Sequence, residues 1–268
     1  MKSEKLMFKS LSEYVDYLQS NGDYVFTQET AKRKLGCSNA AIRVAANRLM
    51  AKKRIVKLRY TLYLIVPLEY KSAGAPPPSW YIDALMKHHN QPYYVALLSA
   101  AALHGAAHQQ PQVFQVMTNK PLRFTVIGRA KITFIVKKDI KKCEVVKVKT
   151  ATGYMNVSTP EVTAFDLVRY ARHAGYLSNI ATVLTELSEK INSEKLLALA
   201  KHEKPIIVQR TGFLLARYAK KNVTQPLLKW LKIQKTHITP LRTDRAYKNS
   251  PKDMDWQVLV NEEIEVDI

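Results

Sequence analysis

Asn39, Arg43 and Asn47 recur at four-residue spacing. On a helix that spacing puts all three on one face. Asn and Arg are the side chains that bond bidentately to the edges of adenine and guanine in the major groove. Arg48 lies beside them, and Arg33, Lys34, Lys52, Lys53, Lys57 and Arg59 flank them as cations suited to phosphate. Between Glu29 and Glu69 the chain holds ten Lys or Arg and no carboxylate. A single basic run is ordinarily a solvated helix face. Thirty-nine residues free of acid, in a chain that uses 22 Asp and Glu, point instead to an acidic partner.

Other reactive residues carry less. His104 and His108 have the i, i+4 spacing of metal ligands, but no carboxylate or cysteine accompanies them and Gly105 interrupts the helix. Asp139, Glu144 and Lys147 have the residue types of a metal-dependent nuclease, with Glu-x-x-Lys in place of Glu-x-Lys. Cys37 and Cys143 are the only cysteines, which excludes a disulfide-stapled secreted domain. The chain has eight glycines and no G-x-G-x-x-G, P-loop or G-x-S-x-G pattern. No catalytic residue, metal or cofactor is expected, and the protein reads as a non-enzyme.

Helical periodicity and capping residues set out the elements that position the basic face. Leu11, Tyr14, Val15 and Leu18 give a helix over 11–20 that ends at Asn21-Gly22. Thr27 caps a helix over about 28–35 that stops at Gly36. Ser38 caps a third, from Asn39 to about Lys52, whose apolar face is Ile42, Ala45, Ala46, Leu49 and Met50. Two β-prone runs at 55–59 and 62–66 follow around Tyr60-Thr61. This order is that of a winged helix-turn-helix. The alternative use of such a module is protein docking, against which the acid-free surface argues.

The small, Pro-rich stretch 71–79 reads as a PPII linker. It divides a DNA-binding domain at 1–70 from a C-terminal domain at 80–268. In the latter, helices are expected at 80–89 and 93–107, strands at 113–118, 124–127 and 132–136, and a hairpin at 145–157. Ser158-Thr159-Pro160-Glu161 starts a helix. Further helices run to about Ile233, and a last strand covers 256–260. The fold class is α+β, an N-terminal winged helix-turn-helix followed by a mixed α/β C-terminal domain. A second basic run over 120–149 holds ten Lys or Arg against two acids. Lys120, Arg123, Arg129, Lys131, Lys147 and Lys149 form a possible second basic surface, or plain outward positions of a half-buried sheet. After Lys252 come six acids and no base. That end either competes with DNA for a basic surface or docks on one. The net charge of +20, with no signal peptide and no 18-residue apolar run, places the protein in the cytoplasm, off the membrane and beside nucleic acid.

Four separated segments are familiar together: QPYYVALLSAAALHGAAHQQP at 91–111, STPEVTAFDLV at 158–168, QRTGFLL at 209–215 and NEEIEVD at 261–267. They resemble the AbiE-type antitoxins, halves of bacterial abortive-infection (phage-defence) toxin–antitoxin pairs, in the same order along nearly the whole chain. The resemblance implies a repressor that binds inverted repeats in its own promoter through the winged helix. It also implies a C-terminal domain that neutralises a nucleotidyltransferase-like toxin encoded beside it, by the type IV route, without a stable complex. It brings no catalytic residue. Members often carry Arg-Gly at the wing tip where this chain has Tyr60-Thr61. A tight turn needing φ > 0 is strained there, so a longer or differently shaped wing is expected, which bears on Arg59 as a phosphate contact. The competing readings are a winged-helix regulator with a ligand-sensing C-terminal domain and an enzyme acting on nucleic acid.

Overall fold

The computed structural model describes residues 8–106, 111–219 and 222–266. The fold is mixed α+β, and the chain divides into two compact units. The first comprises Met1–Tyr94, Gln112–Lys141 and Lys147–Asn156, and the second the remainder.

The first unit begins with α1 (Leu11–Ser20), where Ser10 accepts the Glu13 N–H and Leu11, Tyr14, Val15 and Leu18 are buried. β1 (Val25–Thr27) runs into α2 (Gln28–Leu35). Thr27 and Thr30 cap that helix reciprocally, and Gly36 ends it at φ 60°. α3 (Asn39–Ala51) opens on Ser38, whose hydroxyl accepts the Ala41 N–H. β2 (Ile55–Arg59) and β3 (Leu62–Ile65) then form an antiparallel hairpin, and β1 pairs with the other edge of β3. Tyr14, Phe26, Ala31, Ile42, Ala46, Leu49, Ile55 and Ile65 meet in one core. The sequence reading missed β1, because three residues are too few to show a period of two.

Residues 71–79, expected to be a PPII linker, lie inside this unit and are partly packed. Ala75 and Pro76 are buried. The Arg129 N–H donates to the Ala73 carbonyl at 2.8 Å. Gly128, at φ +57°, approaches so closely that a Cβ there would stand 2.2 Å from the Ala73 oxygen. Trp80 closes the segment, edge-on to Tyr24 and Tyr70 at 4.8 and 5.3 Å.

Next come α4 (Ile82–His88), β4 (Tyr93–Val95) and α5 (Leu97–Leu103). The single helix expected over 93–107 is therefore corrected to a strand and a short helix. Tyr93-Tyr94-Val95 is β-prone and pairs in parallel with a later strand, and Gly105 at φ +80° follows the end of α5. The helix expected at 80–89 is shortened by a 3₁₀ turn at Pro78–Trp80. Ala107, with His108, lies outside the described residues. β5 (Phe114–Thr118), β6 (Thr125–Ile127), β7 (Ala130–Val136), β8 (Val145–Thr150) and β9 (Gly153–Ser158) follow. With β4 they make a six-stranded sheet in the order β6-β7-β5-β4-β9-β8, in which β5 and β7 are parallel.

The second unit is built on α6 (Pro160–Arg169), which Thr159 caps with Pro at its first turn, as read from the sequence. Every residue from Glu161 to Val168 is buried. α7 (Tyr176–Leu187), α8 (Ser193–Ala200) and α9 (Pro205–Tyr218) pack around it, and α10 (Gln225–Lys232) adds to α8. A small sheet ends the chain: β10 (Thr239–Pro240), β11 (Lys252–Asp253) and β12 (Val258–Leu259). The last strand is thus shorter than the expected 256–260. Trp256 turns inward, and a Cβ at Gly212 of α9 would fall 2.0 Å from its ring. Among the described residues no helix is long and apolar enough to cross a membrane.

Candidate nucleic-acid interface

α3 is one-sided. Ile42, Ala46 and Leu49 are buried, whereas Asn39, Arg43, Asn47 and Arg48 are exposed. None of those four side chains has a hydrogen bond or ion pair among the described residues. Val44 shares the open side at 52% exposure, flanked by the small Ala40 and Ala51. Small residues let a helix approach a groove closely, and a valine methyl can meet a thymine methyl. The sequence signal for Val44 is its phase, two residues and so roughly 200° round the helix from Ile42 on the apolar face. The Arg43 charge also reaches the buried Tyr63 hydroxyl, where it opposes the rise in pKa that burial causes.

The flanking cations divide into two groups. Arg33, at the end of α2, is exposed, as are Lys52 and Lys53 beyond α3 and Lys57 on β2. Lys34 is half-buried and partnered within the protein. Arg54 turns back to α1, where it bonds Ser12 and pairs with Asp16, so it serves the fold.

The hairpin explains Arg59. A bulge between Lys57 and Arg59 inserts Leu58, buried at 5% exposure, and Tyr60 and Thr61 are absent from the positive-φ positions. The bulge therefore takes up the geometry that a glycine would otherwise supply. Arg59 is then drawn inward, and its Nε donates to His89 Nε2 at 3.0 Å. Burial, the Arg59 charge and His88 together lower the His89 pKa, which keeps that nitrogen an acceptor. Lys57 instead reaches outward, 5.1 Å over the exposed Tyr60 ring.

Lys120, Arg123, Arg129, Lys131, Lys147 and Lys149 are all exposed. They do not make one patch. Lys131 is on β7, whereas Lys147 and Lys149 are on β8, with β5, β4 and β9 between. At about 4.8 Å per strand that separates them by roughly 19 Å. Lys147 lines a cavity of about 560 Å³ with Trp80, Asp83, Lys87, Tyr154 and Asn156. Lys137, from the same run, is buried with its ammonium 5.8 Å from the Tyr94 ring.

The remaining reactive residues serve the fold. His104 bonds the Ser158 carbonyl at 2.7 Å, and no group of three metal-ligating side chains occurs among the described residues. Cys37 and Cys143 are half-buried thiols. The acidic end docks: Glu262 meets Arg242 and Arg245, and Asp255 meets Lys232. Asp267 lies outside the described residues.

Residues 94–217 match the family model described as the AbiEi antitoxin C-terminal domain. No curated protein matches the chain. Among solved structures it is similar to the crystal structure of the RV2827C protein from Mycobacterium tuberculosis. The TM-score is 0.66 at 16% identity, over 96% of this chain and 92% of that one. That likeness establishes a shared fold. The antibiotic-resistance factor ANT(2'')-Ia also aligns, at a TM-score of 0.31 and 12% identity, over 45% of this chain and 86% of that one.

Proposed function

Since this chain carries the AbiEi antitoxin domain of the AbiE-type antitoxin family at residues 94–217, we propose that it is a DNA-binding autorepressor as well as the antitoxin of its operon. The antitoxin role rests on that domain. The DNA-binding role rests on the exposed polar and cationic face of α3 in a stretch of sequence free of acid. In this reading residues 1–70 are a winged helix-turn-helix, α3 is its recognition helix, and the β2–β3 hairpin is the wing. Asn39, Arg43 and Asn47 read base edges, with Val44 against a thymine methyl. Arg33, Arg48, Lys52, Lys53 and Lys57 bind phosphate, while Arg59 props the wing. The site is an inverted repeat in the protein's own promoter. Residues 80–268 neutralise a neighbouring nucleotidyltransferase-like toxin in the type IV manner, in the bacterial cytoplasm.

The test is fluorescence-anisotropy titration of the full chain on its upstream DNA and on a scrambled fragment. Preference for the upstream fragment, with a log–log salt slope of about −4.5 for the five phosphate-binding cations of each bound chain, supports the reading. Equal affinity for both fragments would refute it. Co-expression with the adjacent toxin frame is expected to restore growth without co-purification of the pair.

A further inference from the structure

The second unit holds a cavity of about 290 Å³ that is far from apolar. Arg169, Arg172, His173, Arg210 and Arg242 line it, against one lining carboxylate, Asp244. Two of these arginines are already balanced and fixed. Arg169 pairs with Glu203. Arg242 holds Asp244 in a bidentate contact at 2.8 and 2.6 Å, bonds Glu262 at 3.2 Å, and lies 4.5 Å from the Tyr176 ring. The other two have no carboxylate at ion-pair distance among the described residues. Arg172 is exposed, makes no hydrogen bond or ion pair among the described residues, and reaches only the charge of Asp244, which Arg242 already holds. Arg210 gives Nε and Nη2 to the Pro240 carbonyl at 3.0 and 2.8 Å, which leaves Nη1. Burial works against its charge, and Asp244 only partly restores it. Arg169 Nε is buried with no partner.

A half-buried guanidinium such as Arg210, with only the distant charge of Asp244 to offset it, is costly, and the cost falls when an anion arrives with acceptors for the open N–H groups. The helix end at the same cavity has the matching polarity. α7 starts at Tyr176, beside the lining His173, with no side-chain cap and no acid in its first turn.

We infer that this cavity binds a phosphorylated small molecule, with the phosphate between Arg172 and Arg210 and the organic part against Tyr176. Two guanidiniums that share one carboxylate, itself paired with Arg242, match a dianionic monoester. The volume, just below the roughly 300–1,000 Å³ of small-molecule sites, suits one compact ligand and not a polymer. The site belongs to the second unit and owes nothing to α3, so it stands apart from the DNA reading.

Isothermal titration of the full chain with inorganic phosphate and with phenyl phosphate tests it. One saturable site per chain is expected, with phenyl phosphate the tighter. Arg172→Gln, at an exposed position that the fold does not use, should weaken it about tenfold or more, as loss of one charge-assisted contact does. Arg210→Lys should weaken it too, and Lys195→Gln, outside the cavity, should not. Absence of a saturable site, equal weakening by Lys195→Gln, or full affinity in Arg172→Gln would overturn the inference. So would displacement of phenyl phosphate by a single-stranded oligonucleotide at lower phosphate concentration than by phenyl phosphate itself. Upstream-DNA titration of the same Arg172→Gln preparation reports separately on the DNA reading and should be unchanged.

Discussion

α3 and α6 are of similar length and do opposite work. α3 buries Ile42, Ala46 and Leu49 and leaves its polar and cationic side without a hydrogen bond or ion pair among the described residues. α6 is buried at every position from Glu161 to Val168, and even its Glu161 carboxylate is engaged, accepting the Asn192 N–H at 2.8 Å. The same contrast separates the arginines. Arg43 is exposed on α3 with no ion pair among the described residues, while Arg169, at the end of α6, is tied to Glu203. A helix that spends few of its faces on the fold has faces left for a partner, whereas one enclosed on all sides can only be a scaffold.

Substitution should therefore separate stability from binding. Phe165→Ala empties a site with 2% exposure and should lower the unfolding free energy by about 3–5 kcal/mol in a denaturant titration. Arg43→Ala should leave it within about 0.5 kcal/mol. Comparable losses in the two variants would erase the contrast. Gly128→Ala probes the packed segment 71–79. The new methyl would meet backbone atoms of Ala73, Gly74 and Ala75 at 2.2 to 2.8 Å, at a position with φ +57°. A loss of about 1–3 kcal/mol is expected. A variant as stable as the parent would mean that the segment is a free spacer after all.

The smallest effect is one of pH. The His89 pKa is lowered by burial, Arg59 and His88, so the folded state holds fewer protons than the unfolded state just below the unfolded value of about 6.5. The stabilisation is fully present above that value and declines as pH falls from there toward the folded pKa. Melting temperatures between pH 7.5 and 5.5 should fall less steeply for His89→Gln than for the parent. Parallel slopes would remove His89 from the account of the wing.

How much of this could be read from residues alone follows from the same contrast. α1, α2 and α3 are legible nearly to the residue: α1 from its one-sided apolar pattern and Asn21-Gly22, α2 and α3 from the hydroxyl caps Thr27 and Ser38. The stretch from Tyr93 is not legible in the same way, because an unbroken apolar run looks alike as a buried strand and a buried helix. Three prolines announced an extended chain at 76–78 but not what it packs on. The basic run 120–149 looked like one surface, since local sequence does not reveal that β7 and β8 are separated by three strands. The partner of Arg59, thirty residues onward, was equally out of reach.

The central claim is that α3 reads DNA. Footprinting of the upstream region with the parent chain and with Arg43→Glu tests it most directly, alongside circular dichroism to show that both are folded. A protected inverted repeat with the parent, lost with Arg43→Glu while the fold is retained, is the predicted result. The same footprint from both proteins would contradict the account.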